Sequence, residues 1–351
     1  MALERQPGIE HRLIATGQHR ALFHGALAEF GLAADLDLAL PNPDVESFCA
    51  ALERALAAPL ARLAPDLVLV QGDTSSALAA ARAAVAAGVP LGHVEAGLRS
   101  GEPNLPWPEE HNRRAIDAIA TLLFAPSAGA AANLRGLPGR AIVTGNTGID
   151  ALMWMRARSP LTLHDSAVKH ILVTCHRREA IPRLPAVQQA LLRLAERPDV
   201  RLHLPVHPNP AIAPAMRAAL HHHPRIMIED ALPYSALVRL LLSCDLLLTD
   251  SGGLQEEAPA LGLPTLVLRD ISERPEVIAS GNARLVGLDP DRIVGEATRL
   301  LDDPARLHAM ARPAFPYGNG DAAARITDAI LAWRRAAAAF PQPRLAPPKQ
   351  A

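Results

Sequence analysis

Aromatic side chains are scarce, 3% of the residues, and no apolar run comes near the ~20 residues that a helix needs to span a bilayer. A helical membrane protein is thereby excluded. The first residues, Met1-Ala-Leu-Glu-Arg-Gln-Pro-Gly, contain no apolar core of the kind secretion leaders carry, so a cytoplasmic protein is expected. Cysteine is rare as well. Cys49, Cys175 and Cys244 are odd in number and widely scattered, which fits neither a metal site nor a disulfide framework and suits a reducing compartment. Charge of one sign is also lacking: 35 Lys and Arg against 36 Asp and Glu leave a net charge of -1. No general field attracts nucleic acid or an anionic membrane surface, and neither is expected as a partner. The alanine-rich helices show no repeat period. The sequence does offer 351 residues of 49% hydrophobic content, more than one core usually holds, so two globular domains are expected.

The chain is organised around Asp245 to Glu257. Leu246 to Thr249 reads as a buried strand and Leu254 to Leu261 as a helix, which makes Asp250-Ser251-Gly252-Gly253 the turn between them. Such a turn suits an anion. Gly252 and Gly253 allow a close backbone approach, Ser251 adds a hydroxyl, and the free N–H groups of the helix start carry partial positive charge. Glu256 and Glu257 come one turn later, where a carboxylate can accept from a ribose diol. Ser-Gly-Gly alone is also common turn chemistry, so the glutamates add weight to the nucleotide reading.

Elsewhere strand and helix alternate, the grammar of βαβ units and an α/β fold. Arg12 to Thr16 is a strand, Ala21 to Phe30 and Val45 to Leu63 are helices, and the strand Leu67 to Val70 ends in Gln71-Gly72-Asp73-Thr74. The helix Leu78 to Ala87 leads to the strand Leu91 to Val94 and then to Glu95-Ala96-Gly97-Leu98-Arg99. If these strands are parallel neighbours, Asp73 and Glu95 share one sheet edge. Pro106-Trp107-Pro108 opens a helix running to Ala120, with Glu109 and Arg113 one turn apart on one face. Asp73 could instead cap a helix, and Glu109 with Arg113 could be a surface ion pair. Strands 122–124 and 141–143 close the first half. The low-pattern stretch Ala157 to Val168 marks the expected boundary, after which Ile171 to Thr174, Leu202 to Val206 and Thr265 to Leu268 read as strands. The expected divisions are 1–156, 169–320, a closing helix 321–339 and a proline-rich tail 340–351, expected to be disordered.

Gly72-Asp73-Thr74, Gly92-His93-Val94-Glu95-Ala96-Gly97-Leu98-Arg99, Trp107-Pro108-Glu109-Glu110, Thr144-Gly145-Asn146-Thr147, His176-Arg177-Arg178-Glu179, Asp250 to Glu257 and Glu273-Arg274-Pro275-Glu276 stand in that order. Together they resemble the bacterial non-hydrolysing UDP-N-acetylglucosamine 2-epimerases, from about Arg12 to the last helix. The resemblance implies a GT-B-like fold: two doubly wound Rossmann-like domains whose parallel sheets face a central cleft. It also implies UDP-GlcNAc and UDP-ManNAc as ligands, no cofactor and no metal; a homodimer is the expected assembly. On the family pattern Asp73, Glu95 and Glu109 are the acid/base candidates, with His176 in the catalytic set. Arg113, Arg177, His207, Ser251, Gly252, Gly253 and Arg274 would bind substrate, and Glu257 would hold the ribose. His93 reads as structural, and Cys175 stands where the family usually has glycine.

Two departures stand out. Family members open with a strand ending in a Gly-Thr-Arg-Pro-Glu turn, whereas Arg12 to Gln18 and His19 resemble the family's second strand and the segment after it. The central strand of the first sheet is therefore expected to be missing. The loop Ala180-Ile181-Pro182-Arg183-Leu184-Pro185 also differs from the family's glycine-bearing loop. Three activities fit these residues: the epimerase; another GT-B enzyme, either a hydrolysing epimerase or a glycosyltransferase; and a nucleotide-sugar-binding relic without turnover.

Overall fold

Runs of branched apolar residues form the strands, and every pairing among them is parallel. In chain order these are β1 (Ile14–Ala15), β2 (Leu36–Asp37), β3 (Val68–Gln71), β4 (Leu91–Val94), β5 (Leu122–Ala125), β6 (Arg140–Val143), β7 (Lys169–Thr174), β8 (Val200–Pro205), β9 (Ile226–Glu229), β10 (Leu246–Thr249), β11 (Thr265–Val267) and β12 (Ala283–Leu285). The computed structural model describes residues 1–17, 20–41, 44–102, 105–160, 167–207 and 209–339. Gln18, His19, half of the expected boundary stretch and the expected tail 340–351 lie outside them. The chain divides into two units, one of Met1–Asp150 with the segment that begins at Gly320, the other of Ala151–Asn319.

In the second unit the strand order is β12-β11-β10-β7-β8-β9. The order of strand addition reverses between β7 and β10, the switch point where doubly wound sheets leave a crevice at the strand carboxyl ends. Alternation along the strands sorts the core. Ile171 and Val173 face one layer with Leu246 and Leu248, while Leu172 and Leu247 face the opposite layer with Leu241 and Leu254. Both layers are covered by helices, so the sheet is buried on both faces.

In the first unit the helices Val45–Leu63 and Ser75–Ala86 cover one face through Phe48, Leu52, Leu56 and Leu60. The closing helix Ala322–Ala339 packs Ile326 against Val94, Leu122 and Phe124 on the other. Its start is fixed by Asp150, whose carboxylate accepts from the Ala322 and Ala323 amides at 3.0 and 2.7 Å.

The sheet of this unit is in two pieces, β1-β2 and β3-β4-β5-β6. Between them is a cavity of about 610 Å³, lined by Leu13, Ile14 and Ala15 on one side and Leu69, Val70 and Gln71 on the other. Leu13 and Ala15 use their carbonyls on β2, and Val68 and Gly72 use their amides on the β4 side. Alternation therefore turns the backbone groups of Ile14, Leu69 and Gln71 toward the cavity. The two edges frame a gap instead of pairing with each other.

Two helices start earlier than the apolar pattern suggests, for the same reason. Thr74, not Asp73, caps the helix Ser75–Ala86 by accepting from the Ala77 amide at 3.1 Å, and Ser251 caps Gly252–Leu261 by accepting from Leu254. Of Arg12 to Thr16, only Ile14–Ala15 pairs as a strand.

Candidate active site

In the second unit the carboxyl ends of β7 and β10 carry Cys175-His176-Arg177 and Asp250-Ser251 side by side. The fully buried Asp250 accepts from the backbone amides of His176 and Arg177 through Oδ2, at 2.8 Å each, and its Oδ1 lies 3.2 Å from His176 Nδ1. His207, after β8, stacks on His176 with ring centroids 5.3 Å apart. Burial lowers the His176 pKa below the ordinary histidine value, Asp250 opposes this, and the charges of Arg177, His207 and Arg269 add to the lowering. Burial, with Asp250 adding, pushes the Cys175 thiol far above the ordinary range, so it is not a thiolate nucleophile.

Gly252 and Gly253 form the first turn of their helix, where no preceding carbonyl reaches their amides. Above Gly252 is the guanidinium of Arg274: a β carbon there would lie 2.8 Å from one of its nitrogens. Arg274 donates from Nε to Glu256 at 2.7 Å, and Glu273, 3.5 Å from it, also accepts from Arg269 at 2.7 Å. The two glutamates of the turn are thus separated in role. Glu256 is an ion-pair partner, while Glu257 keeps Oε2 buried without a hydrogen-bond partner among the described residues. Burial raises the Glu257 carboxyl to about 8, the Tyr234 hydroxyl opposes the shift, and the Glu256 charge adds to it.

In the first unit Asp73 stands after β3 and Glu95 after the adjacent β4. A β carbon on Gly72 would lie 3.8 Å from Glu95 Oε2. Glu95 has φ +71°, in the left-handed region that a glutamate enters only when its surroundings impose it. Asp117 supplies that constraint: buried, it accepts from the Gly97 amide at 3.2 Å, pairs with Arg99 at 2.8 Å and meets His93 Nδ1 at 2.7 Å. His93 donates from Nε2 to the Gly72 carbonyl at 2.9 Å, so this fully buried ring ties the Asp73 loop to the Glu95 loop. Glu109 opens the helix Glu109–Ile119 with Oε2 buried and without a hydrogen-bond partner among the described residues. Arg113 joins the two ends of this arrangement, donating from Nε to Asp73 at 3.1 Å and from NH1 to Glu110 at 2.9 Å.

The family model for UDP-N-acetylglucosamine 2-epimerase matches residues 1–331. The chain belongs to the UDP-N-acetylglucosamine 2-epimerase family. A UDP-N-acetylglucosamine 2-epimerase of Escherichia coli K12 is 41% identical over 349 residues, covering 94% of this chain and 93% of that protein. A solved structure of the Neisseria meningitidis enzyme bound to UDP-GlcNAc superposes with TM-score 0.91 at 34% identity, covering 94% of each chain. One from Methanocaldococcus jannaschii, in complex with UDP-GlcNAc and UDP, has TM-score 0.81 at 30% identity, covering 95% of this chain and 94% of that one. The fold is therefore the GT-B-like α/β type.

Within this epimerase family chain, the first unit gathers Asp73, Glu95, Glu109 and Arg113; the second gathers His176, Arg177, His207, Ser251, Gly252, Gly253, Glu257 and Arg274. Arg113 is 4% exposed at its side chain and occupied by two carboxylates, a different setting from the diphosphate clamp its position suggests. Asp117 and Tyr234 are structural participants outside the motifs, and Glu110 and Asp250 stand inside motifs that assign them no role of their own. Glu110 also carried a signal in its spacing of three and four residues from Arg113 and Arg114, to which it is bonded. Among the described residues no group of three or more His, Cys, Asp or Glu could hold a metal ion, and no helix is long and apolar enough to cross a membrane.

The raised Glu257 pKa predicts a pH signature. Unfolded, the side chain ionises near its ordinary value of 4.5; folded, it holds its proton up to about 8. Its contribution to stability is present below the lower value and is lost as pH rises toward the upper one. Melting curves of the ligand-free wild type and Glu257→Gln are therefore expected to coincide near pH 4.5 and to diverge by about pH 9, with the variant more stable at high pH. Curves that stay parallel would refute the buried neutral acid.

Proposed function

We propose that this protein is a non-hydrolysing UDP-N-acetylglucosamine 2-epimerase, which interconverts UDP-GlcNAc and UDP-ManNAc. The observation that carries the reading is family membership across residues 1–331 in a chain that keeps three carboxylates: Asp73 and Glu95 after the neighbouring strands β3 and β4, and Glu109 at the start of the helix whose Arg113 bonds Asp73. The reaction proceeds in two halves. A base removes the C2 proton while the anomeric C–O bond breaks, giving 2-acetamidoglucal and UDP; UDP then adds back as a proton is delivered to the opposite face of C2. Proton removal and return call for more than one positioned carboxyl group, and separation of UDP calls for positive groups on the departing diphosphate.

In this reading the second unit holds UDP. The amides of Gly252 and Gly253 and the Ser251 hydroxyl receive the diphosphate, His176, Arg177 and His207 flank it, and Glu257 accepts from the ribose diol. Arg274 shapes the turn from above and has its charge balanced by Glu256. Arg113 acts on Asp73 by holding its carboxylate in place, with Glu110 holding Arg113 in turn.

NMR of UDP-GlcNAc incubated with the protein tests the activity. The expected product is UDP-ManNAc in equilibrium with the starting material; accumulation of free N-acetylmannosamine and UDP alone would replace this reading with hydrolysis. Calorimetry tests the UDP site. Gly252→Asp pushes a carboxylate into the Arg274 guanidinium and the diphosphate site, so at least a tenfold loss of UDP affinity is expected, about 1.4 kcal/mol or more. Undiminished binding would remove the turn from the site.

A further inference from the structure

We propose that Asp250 is a positioning residue for His176: it holds the imidazole with hydrogen on Nδ1 and with Nε2 directed away, free to meet the substrate. The inference rests on the epimerase reading for its consequence, but its geometry belongs to the second unit alone.

The constraint begins with the sheet. β7 and β10 are neighbours with Thr174 opposite Thr249, and the two threonine hydroxyls are 2.6 Å apart. The residues beyond them leave the sheet at a fixed spacing. Asp250 is fully buried, and its Oδ2 is anchored by two amides, His176 and Arg177, at 2.8 Å each. With that oxygen pinned, the carboxylate cannot turn, and Oδ1 is left 3.2 Å from His176 Nδ1. Oδ1 makes no hydrogen bond among the described residues, and the 3.2 Å approach of Nδ1 is an ion-pair distance that is not in line for a hydrogen bond. A buried carboxylate oxygen needs a donor; the Cys175 thiol and His176 Nδ1–H both face Asp250, the thiol is a weak donor, and a small turn of the imidazole brings Nδ1–H into line. The opposite tautomer would set the Nδ1 lone pair against the carboxylate charge. The stacked His207 ring restricts rotation away from this orientation.

The electrostatics give the arrangement a chemical purpose. Burial, Arg177, His207 and Arg269 all disfavour a proton on both ring nitrogens, and Asp250 is the facing group that favours it. With Nδ1–H fixed, Nε2 can accept when the ring is neutral and donate to a departing phosphate oxygen when it is protonated. Asp250 brings the second form within reach and fixes the first. This is the division of labour by which a buried carboxylate orients a catalytic histidine without itself changing protonation.

Asp250→Asn keeps an oxygen for the two amides but turns an NH2 group toward Nδ1. Nitrogen-15 NMR of histidine-labelled, UDP-free protein, assigned by the resonance lost in His176→Gln, should show the Nδ1–H tautomer in the wild type and the Nε2–H tautomer in Asp250→Asn. Turnover should fall by roughly 10²–10⁴-fold in Asp250→Asn with the KM for UDP-GlcNAc changed only a few-fold. In a His176→Gln background the same substitution should cost nothing further, because the two residues act as one unit. An Nε2–H tautomer in the wild type would overturn the proposal. So would an equal loss from Asp250→Asn with and without His176, which is the behaviour of a backbone anchor alone. A wild type with the expected tautomer but no UDP-ManNAc formed would instead overturn the epimerase reading and leave the Asp250–His176 orientation standing on the spectrum.

Discussion

Isosteric amides at Asp73, Glu95 or Glu109 are expected to lower epimerase turnover by roughly 10²–10⁴-fold each, with UDP still bound. The expectation comes from where each carboxylate is held. Asp73 accepts from Arg113, and Asn112 fixes the loop by donating to the Asp73 carbonyl at 2.9 Å. Asp73→Asn leaves Arg113 its second partner, Glu110, so the loss should be chemical more than structural. Glu95 is held in a left-handed backbone conformation by the loop that Asp117 fastens. Strain of this kind persists only where the surroundings over-determine it, and an amide keeps the backbone unchanged while removing the charge. Glu109 keeps a buried carboxylate oxygen without a hydrogen-bond partner among the described residues, so an amide there breaks no hydrogen bond of that oxygen. Steady-state kinetics with UDP calorimetry separates the outcomes: full turnover in any one variant removes that residue from proton transfer, and lost UDP binding would make its role structural.

A single extended strand supplied to the gap between β1 and β3 should raise the melting temperature by on the order of 10 °C. Ile14 on one edge and Leu69 and Gln71 on the other turn backbone groups toward the cavity, and a parallel strand lying between them would satisfy both rows. About four new backbone hydrogen bonds at ~1 kcal/mol each, with apolar side chains filling the cavity against the cost of ordering the segment, leave a few kcal/mol net. At roughly 2–4 °C per kcal/mol for a domain of this size, that sets the expected shift. An extension before Met1 of alternating apolar residues ending in Gly-Thr-Arg-Pro-Glu is the form to test. Its arginine would also bring a cation to the sheet edge, so turnover should rise with stability. Equal melting temperature and equal turnover with and without the extension would show the gap to be neutral.

Much of the fold is legible because parallel strands buried on both faces read as unbroken apolar runs. Leu246 to Thr249 and Leu91 to Val94 are buried at every position and match their apolar runs in the sequence. β12, Ala283–Leu285, carries an arginine at its centre, and β2 is only Leu36–Asp37, so neither offers a run to read. Helix starts moved by up to three residues where a Thr or Ser hydroxyl decided the cap, since capping competes with apolar periodicity for the boundary. The Ser251 to Gly253 turn was legible because glycine, hydroxyl and helix start coincide in sequence. The partners of Arg113 were not. Spacing of four residues joins Glu109 to Arg113 on one helix face, but the link to Asp73 is 40 residues away along the chain and depends on the fold. Likewise nothing in the letters distinguishes Glu256 from Glu257; packing of Arg274 over Gly252 does.

Turnover in deuterium oxide tests the central claim most directly. If UDP leaves as a C2 proton is taken and returns as another is delivered, then UDP-ManNAc formed from UDP-GlcNAc must carry solvent deuterium at C2, and the recovered UDP-GlcNAc must acquire it at equilibrium. Mass spectrometry and proton NMR of the product read this at one carbon. Complete label at C2 is the result expected; epimerised sugar with its original C2 hydrogen retained would contradict elimination and re-addition through Asp73, Glu95 and Glu109.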